Sequence, residues 1–137
     1  MPTIKSMNPI TEWRNMMEGL STIIYQNKAI IYMDYSGFGD NKESAKELIK
    51  GGTAEYKNYP LNSVLALVNV KNLRFDTDLM NLWKEEQDKS APYEKRVAVV
   101  GMGTLHKIAY NFITRLHGNV IKAFDSEQEA KDWLVED

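Results

Sequence analysis

Four β-rich apolar segments of this chain each lead into a pattern that is typical of an amphipathic helix. These segments begin at Ala29, Val64, Val97 and Val120. Parallel strands need long crossover connections, and a helix that returns over a sheet face supplies such a connection. The alternation therefore predicts an α/β fold with a single, mostly parallel sheet and helices packed against it.

A further β-rich segment precedes the first of the four. Residues 22–25 and 29–35 are separated by the short polar stretch Gln26-Asn27-Lys28, and this spacing predicts an N-terminal antiparallel hairpin. Residues 64–68 form an unbroken apolar run, which is typical of a strand buried on both faces. We expect that strand to lie near the centre of the sheet.

The segment after the hairpin has the start signal of a helix. Asp40 and Glu43 form a plausible N-cap pair, and apolar residues at helical spacing continue to about Lys50. Glycines cost about 1 kcal/mol each in a helix interior. The adjacent glycines 51–52 either end the helix or weaken one that continues as far as Tyr56, and both outcomes stay open at this point.

Three further helices are predicted by capping and periodicity. Asp76 or Thr77 can cap the first, whose charged residues Lys84, Glu85, Glu86 and Asp88 we expect to face solvent. The strongest pattern repeats at helical spacing in Leu105, Ile108, Ala109, Phe112, Ile113 and Leu116. Ser126 and Glu129 form a capping box for the last helix, which Ala130, Trp133 and Leu134 should attach to the core.

The length and composition predict one domain over residues 1–137, in which residues 1–19 form a poorly defined lead-in. A net charge of −2 provides no general attraction for nucleic acid, and the apolar runs are too short to span a membrane. The chain has no cysteine, which excludes disulfides and thiol chemistry. Together these features predict a cytoplasmic protein without a bound cofactor.

The most suggestive local motif runs from the fourth strand into the strongest helix. It places Gly101 and Gly103 before Thr104 and His106, where free N–H groups at a helix start can hold an anion. A dinucleotide-binding fingerprint needs a third glycine where this chain has His106. The motif therefore indicates a tight turn or an anion or ligand site of low specificity.

The two histidines do not predict a metal site. His106 and His117 are eleven residues apart, which places them about three helical turns from each other. No second pair of ligands accompanies either residue, so we predict no metal centre.

Asp34 and Ser36 close the second β-segment, at a position where open α/β sheets often carry functional groups. A nucleophilic Ser36 would need a base and oxyanion donors, which the surrounding sequence does not supply. The favoured interpretation is that both residues organise the turn over residues 36–39. An enzyme that depends on Asp34 or His106 is a less favoured alternative.

Two motifs carry a resemblance to a known family. Residues 30–37, Ile-Ile-Tyr-Met-Asp-Tyr-Ser-Gly, and residues 123–134, Ala-Phe-Asp-Ser-Glu-Gln-Glu-Ala-Lys-Asp-Trp-Leu, resemble the STAS superfamily and its SpoIIAA-like branch. The resemblance implies regulation through protein contacts, sometimes switched by serine phosphorylation. Ser36 resembles a serine that ends the same strand in those relatives, and Ser44 lies where a phosphate would meet a helix N-terminus.

The sequence thus favours a nonenzymatic regulatory or protein-interaction domain of the STAS/SpoIIAA-like type. The alternative is a carrier or sensor that binds a small lipid-like or anionic ligand. A strand at the sheet edge also offers a route to a homodimer.

Overall fold

A computed structural model describes residues 17–103, 107, 110, 111, 114 and 120–137. Its strands are β1 (Leu20–Tyr25), β2 (Lys28–Asp34), β3 (Val64–Asn69), β4 (Glu94–Val100) and β5 (Ile121–Phe124). Its complete helices are α1 (Lys42–Tyr56), α2 (Thr77–Ser90) and α3 (Glu127–Leu134), and a 3₁₀ turn at Ala91–Tyr93 precedes β4. The predicted α/β class is confirmed.

A two-residue turn joins β1 to β2. Gln26 and Asn27 have φ values of 49° and 65°, and two successive left-handed residues are the mark of a type I′ turn. The twist of this turn suits an antiparallel pair, and β1 pairs with β2 over the full length from Leu20 opposite Met33 to Tyr25 opposite Lys28. The predicted N-terminal hairpin is confirmed.

The five strands follow each other across the sheet in chain order, and β2 to β5 are parallel. β3 is the central strand, as its apolar run predicts. The carboxyl ends of the parallel strands lie in register, because Asp34 pairs with Asn69, Asn69 with Val100 and Val100 with Phe124. This edge of the sheet is where the motif after β4 emerges.

The two sheet faces carry different helices. Because each parallel crossover moves one strand further in the same direction, right-handed connections place α1 and α2 on the same face. We call this the α1/α2 face; its buried side chains include Ile31, Met33, Leu48, Val68, Leu79 and Val99. The opposite face, the α3 face, buries Ile30, Leu65, Leu67, Ala98, Val100, Ala130 and Leu134.

Helix α1 continues through its two glycines to Tyr56. A Cβ atom on Gly51 would collide with the side chain of Met17, and one on Gly52 would lie 2.5 Å from Met33 Sδ. Glycine is needed at both positions because the helix packs closely against these two methionine side chains. The predicted cap at Asp40 is wrong by one residue, since the side chain of Asn41 accepts the hydrogen bond from Ser44 N.

Helices α2 and α3 begin at predicted caps. Asp76 accepts a hydrogen bond from Leu79 N, and Ser126 accepts one from Glu129 N. One expectation for α2 is wrong, because Glu86 is buried instead of facing solvent. It lies against α1, and its carboxylate is paired with Lys89 at 2.8 Å.

A β-bulge interrupts the start of β4. Val64 of β3 lies opposite Glu94, whereas Leu65 lies opposite Arg96, so Lys95 is an extra residue in β4. A bulge changes the direction of the side chains that precede it. Glu94 therefore points to the α1/α2 face, whereas Arg96 lies on the α3 face against Trp133.

Some predictions fall on residues that the structure does not describe. These are most of the lead-in, the six apolar positions of the strongest helix pattern, Thr104, His106 and His117. Within that pattern Lys107, Tyr110, Asn111 and Thr114 are helical. Across the described ranges, no helix combines the length and hydrophobicity that crossing a bilayer requires.

Candidate functional site

The candidate site lies at the carboxyl edge of the parallel strands. Gly101 leaves β4 with φ of +81°. A Cβ atom there would lie 2.7 Å from Lys71 N and 2.8 Å from Asn69 Oδ1. Glycine is therefore required both by the left-handed conformation and by the close approach of the backbone after β3.

The chain turns into helical structure shortly after Gly101. The carbonyl oxygen of Gly103 accepts a hydrogen bond from Lys107 N at 3.3 Å. Gly101 and Gly103 are thus placed at the strand-to-helix corner that the sequence indicates. Thr104 and His106, the other two residues of the predicted anion site, lie outside the described residues.

An open cleft of about 500 Å³ adjoins this corner. We call it the carboxyl-edge cleft. The residues that line it come from the segments after β4, from β5 and from the start of α3, and they are Gly101, Met102, Lys107, Lys122, Ala123, Phe124, Asp125 and Glu129. Its volume lies within the usual range of roughly 300–1,000 Å³ for small-molecule sites.

The cleft contains two lysines for which the described residues supply no carboxylate partner. In the described part of the chain, neither Lys107 nor Lys122 forms an ion pair. Lys122 Nζ instead lies 5.3 Å from the ring centroid of Phe124, a cation–π distance. The arrangement combines accessible positive charge with an aromatic wall.

Acidic residues limit how much negative charge the cleft accepts. Glu129 lines it, and Glu129 Oε1 is hydrogen-bonded to Ser126 Oγ at 3.2 Å. Asp125 also lines it and forms no ion pair with any described residue. A ligand with one anionic group suits this balance of charges better than one with several.

The other predicted site residues do not line the cleft. Asp34 Oδ1 accepts a hydrogen bond from Ser36 N at 2.9 Å, which is the contact expected when these residues organise a turn. Ser44 lies in the first turn of α1, where its backbone N–H binds the cap residue Asn41. The structure therefore keeps Asp34 and Ser36 together but leaves them and Ser44 apart from the cleft.

A polar cluster that the sequence did not reveal lies on the α3 face near the same edge. Tyr32 donates a hydrogen bond to Glu127 Oε2 at 2.9 Å, and Asn69 Nδ2 donates to the Tyr32 oxygen at 3.4 Å. Partial burial raises the pKa of Tyr32 to about 12, and the nearby carboxylates of Asp34 and Glu127 act in the same direction. The cluster fixes α3 to the sheet beside the cleft.

The lysines of the cleft carry no local sequence signal. Lys107 and Lys122 are far apart in the chain, and each is an ordinary charged residue in its own segment. Only the pairing of β5 with β4, in which Lys122 lies opposite Ala98, brings the two segments to one edge. Alternation along β5 would have shown that Lys122 and Phe124 share a face.

Comparison with protein-family models, with curated proteins and with solved structures gave no match for this chain. The described residues also contain no group of three or more histidine or acidic side chains placed to hold a metal ion.

Proposed function

We propose that this protein is a nonenzymatic regulatory domain of the STAS/SpoIIAA-like type and that it senses a small molecule in the carboxyl-edge cleft. The molecule carries one anionic group and an apolar part. The observation that carries the proposal is the placement of two lysines, Lys107 and Lys122, beside the apolar side chains of Met102 and Phe124, with no ion pair to either lysine from any described residue.

Each part of such a ligand has a counterpart in the cleft. Lysine ammonium groups bind carboxylates and phosphates through charge-assisted hydrogen bonds, each contributing about 1.5–3 kcal/mol. The Phe124 ring and the flexible Met102 side chain offer an apolar surface that adapts to different shapes. Both features are those of a site for a compact amphipathic anion such as a phosphate monoester or a fatty carboxylate.

The sheet topology supports a sensor role. The cleft is built from the segment after β4, from β5 and the residue that follows it, and from Glu129 of α3. A ligand that bridges these segments binds several elements of the folded protein at once and none of them in the unfolded chain. Its occupancy would therefore stabilise the folded state by mass action.

Thermal unfolding and native mass spectrometry test the proposal with phenyl phosphate, decanoate and benzyl alcohol as probes. We expect phenyl phosphate or decanoate to raise the melting temperature and to give a bound mass, whereas benzyl alcohol, which lacks the anion, does neither. Lys107→Gln or Lys122→Gln should weaken binding about tenfold or more, because each removes one charge-assisted contact.

Lys95→Gln is the matched control, because it removes the same charge from an exposed lysine at the opposite end of β4. Binding of the anionic probes should be unchanged in this variant. Equal weakening by all three substitutions would show a general charge effect, and the absence of any bound probe would contradict the proposed site.

A second candidate function is self-association, in which two copies of the chain pair through β1. The position of β1 and its exposed apolar residue favour this function. Among the strands that the structure describes, β1 lies at the edge of the sheet, and Ile24 on this strand is 71% exposed. Edge strands present unpaired backbone groups that can extend a sheet into a neighbouring molecule. A two-fold pairing of β1 strands would join two sheets and cover Ile24.

Light scattering over a range of protein concentrations tests this second candidate. We expect a dimer for the wild-type protein and a monomer for Ile24→Lys, because a buried charge at the edge opposes strand pairing. Thr22→Lys would serve as a further edge variant on the same strand. A wild-type protein that stays monomeric at the highest concentration would contradict pairing through β1.

A further inference from the structure

A buried carboxyl group lies between the sheet and the helices of the α1/α2 face. Glu94, the first residue of β4, is only 3% exposed. It faces a cavity of about 30 Å³, which we call the Glu94 chamber. The other polar side chains that line the chamber are Tyr35, Thr53, Tyr56, Glu86, Gln87 and Ser90.

The bulge in β4 explains how a glutamate comes to lie there. In an uninterrupted strand Glu94 and Arg96 would share a face. Lys95 is the extra residue of the bulge, and Arg96 lies on the α3 face, where its Nη1 donates to Trp133 O at 2.7 Å. The bulged backbone, and not the rotamer of the side chain, therefore directs Glu94 into the interior.

The charge of Glu94 is poorly compensated. Its one hydrogen bond within the described residues comes from Gln87 Nε2 at 2.6 Å. The titratable groups that face it from the packed elements are Tyr56 of α1, Glu86 of α2 and Tyr35 after β2. Burial raises the pKa of Glu94 to about 7, although the bond from Gln87 opposes this shift.

Glu86 shows how a glutamate in the same chamber is kept ionised. Burial by itself would raise the pKa of Glu86, but hydrogen bonds from Lys89 and Thr53 outweigh that effect and leave the pKa below its ordinary value. Lys89 Nζ lies 2.8 Å from Glu86 Oε2. Glu94 has no comparable cation among the described residues, so the two glutamates differ in charge state near neutral pH.

Two buried hydroxyl groups complete the chamber. Tyr35 and Tyr56 are 5% and 2% exposed, and neither hydroxyl has a hydrogen-bond partner in the part of the chain that the structure describes. Burial raises the pKa of both phenols well above the ordinary range, so both stay protonated. A cavity of this size has room for a water molecule, and these hydroxyls are suitable partners for one.

We propose that Glu94 is a proton-operated switch that controls how firmly α1 and α2 pack on the sheet. With its proton bound, Glu94 is neutral and the chamber stays closed around it. When the proton leaves, the buried carboxylate attracts water and loosens α2 from the amino end of β4. The sign follows from linkage: a carboxyl group whose pKa is higher in the folded state than in the unfolded state destabilises the fold as pH rises between the two values.

Two measurements test the switch. In protein labelled with ¹³C at the glutamate carboxyl carbons, the Glu94 resonance should titrate near pH 7, and Glu94→Gln identifies that resonance by its absence. Urea unfolding gives the unfolding equilibrium constants of the wild type and of Glu94→Gln at each pH. The ratio of the wild-type constant to the Glu94→Gln constant should rise by roughly a hundredfold between pH 5 and pH 8. The neutral amide keeps an acceptor for Gln87 while removing the titration.

Glu86→Gln is the matched control, because Glu86 lines the same chamber but is already ionised across this pH range. This variant should keep the wild-type difference between pH 5 and pH 8. A Glu94 resonance that titrates near 4.5, or an identical pH dependence in wild type and Glu94→Gln, would overturn the proposal. Neither measurement involves a ligand of the cleft, so the outcome is independent of the proposed function.

Discussion

The two faces of the sheet hold their helices by different means. On the α1/α2 face, long helices bury a broad apolar layer that includes Leu48 and Leu79. On the α3 face, the eight-residue helix α3 buries Ala130 and Leu134 and adds a border of polar contacts. A short helix cannot bury much apolar area, so specific hydrogen bonds contribute a larger share of its attachment.

The polar contacts of α3 come from side chains of three strands. Tyr25 donates to Asp132 Oδ1 at 2.5 Å, and Tyr32 donates to Glu127 Oε2 at 2.9 Å. The last turn of α3 is bound to the sheet by two side chains. Arg96 Nη1 donates to Trp133 O, and Lys28 Nζ donates to Val135 O. The broad apolar layer of the α1/α2 face therefore contributes more to global stability, whereas the polar border determines where α3 lies.

The largest expected effect comes from removing a core side chain on either face. Leu48→Ala should lower the free energy of unfolding by about 3 kcal/mol, because it opens a cavity in the broad layer between α1 and the sheet. Leu134→Ala should cost less, about 2 kcal/mol, since the short α3 can move to close its cavity. Chemical denaturation of both variants checks this order, and a larger loss for Leu134→Ala would contradict it.

A backbone constraint at the start of β1 should have the next largest effect. Gly19 has φ of +86°, and a Cβ atom would lie 2.7 Å from the carbonyl oxygen of Asp34 and 2.9 Å from the Leu48 side chain. Gly19→Ala should therefore destabilise the α1/α2 face by about 2 kcal/mol. Gly37→Ala is the control, because no atom lies within 4 Å of its added Cβ. Equal stability of the two variants in thermal unfolding would show that the contact is unimportant.

Two tyrosine-to-phenylalanine variants, one on each face of the sheet, show how much the polar groups contribute to stability. Tyr32→Phe removes the hydrogen bonds to Glu127 and Asn69 and should cost about 1 kcal/mol. Tyr56→Phe removes a buried hydroxyl that has no protein partner within the described residues, so it should cost less stability than Tyr32→Phe. Amide hydrogen exchange in α3 should increase in Tyr32→Phe alone. If it increases as much in Tyr56→Phe, the polar border has no special role.

The smallest effect is expected from an exposed ion pair on the α1/α2 face. Lys42 Nζ lies 2.7 Å from Asp76 Oδ2 and 3.2 Å from Asp78 Oδ2, linking the starts of α1 and α2. Lys42→Gln should reduce stability slightly at low salt and not at all in 1 M salt, because solvent and ions screen exposed charges. An undiminished loss at high salt would show that the contact is not chiefly electrostatic.

Local signals in the sequence were sufficient for most of the fold. The hairpin follows from Gln26 and Asn27, and the starts of α2 and α3 follow from the caps at Asp76 and Ser126. Local signals failed where tertiary packing decides the outcome. Helix α1 continues through its two glycines, where any larger side chain would collide with Met17 or Met33, and no pattern within the helix indicates that contact.

In the candidate site, too, local sequence signals predict some residues, whereas others depend on tertiary structure. Gly101 was predicted from its place between a strand and a helix, and its positive φ shows why glycine is needed there. The lysines of the cleft and the chamber around Glu94 were not predicted, because strand order and the bulge at Lys95 create them. Alternation alone would have placed Glu94 on the same face as Arg96.

The most direct test of the sensor proposal is a ¹H–¹⁵N correlation titration of the protein with phenyl phosphate. We predict saturable shifts that are confined to the amides around Gly101 and Ala123–Asp125, and a marked loss of affinity in Lys122→Gln but not in Lys95→Gln. Shifts centred elsewhere, or a titration that Lys122→Gln leaves unchanged, would contradict a ligand site at the carboxyl edge of the sheet.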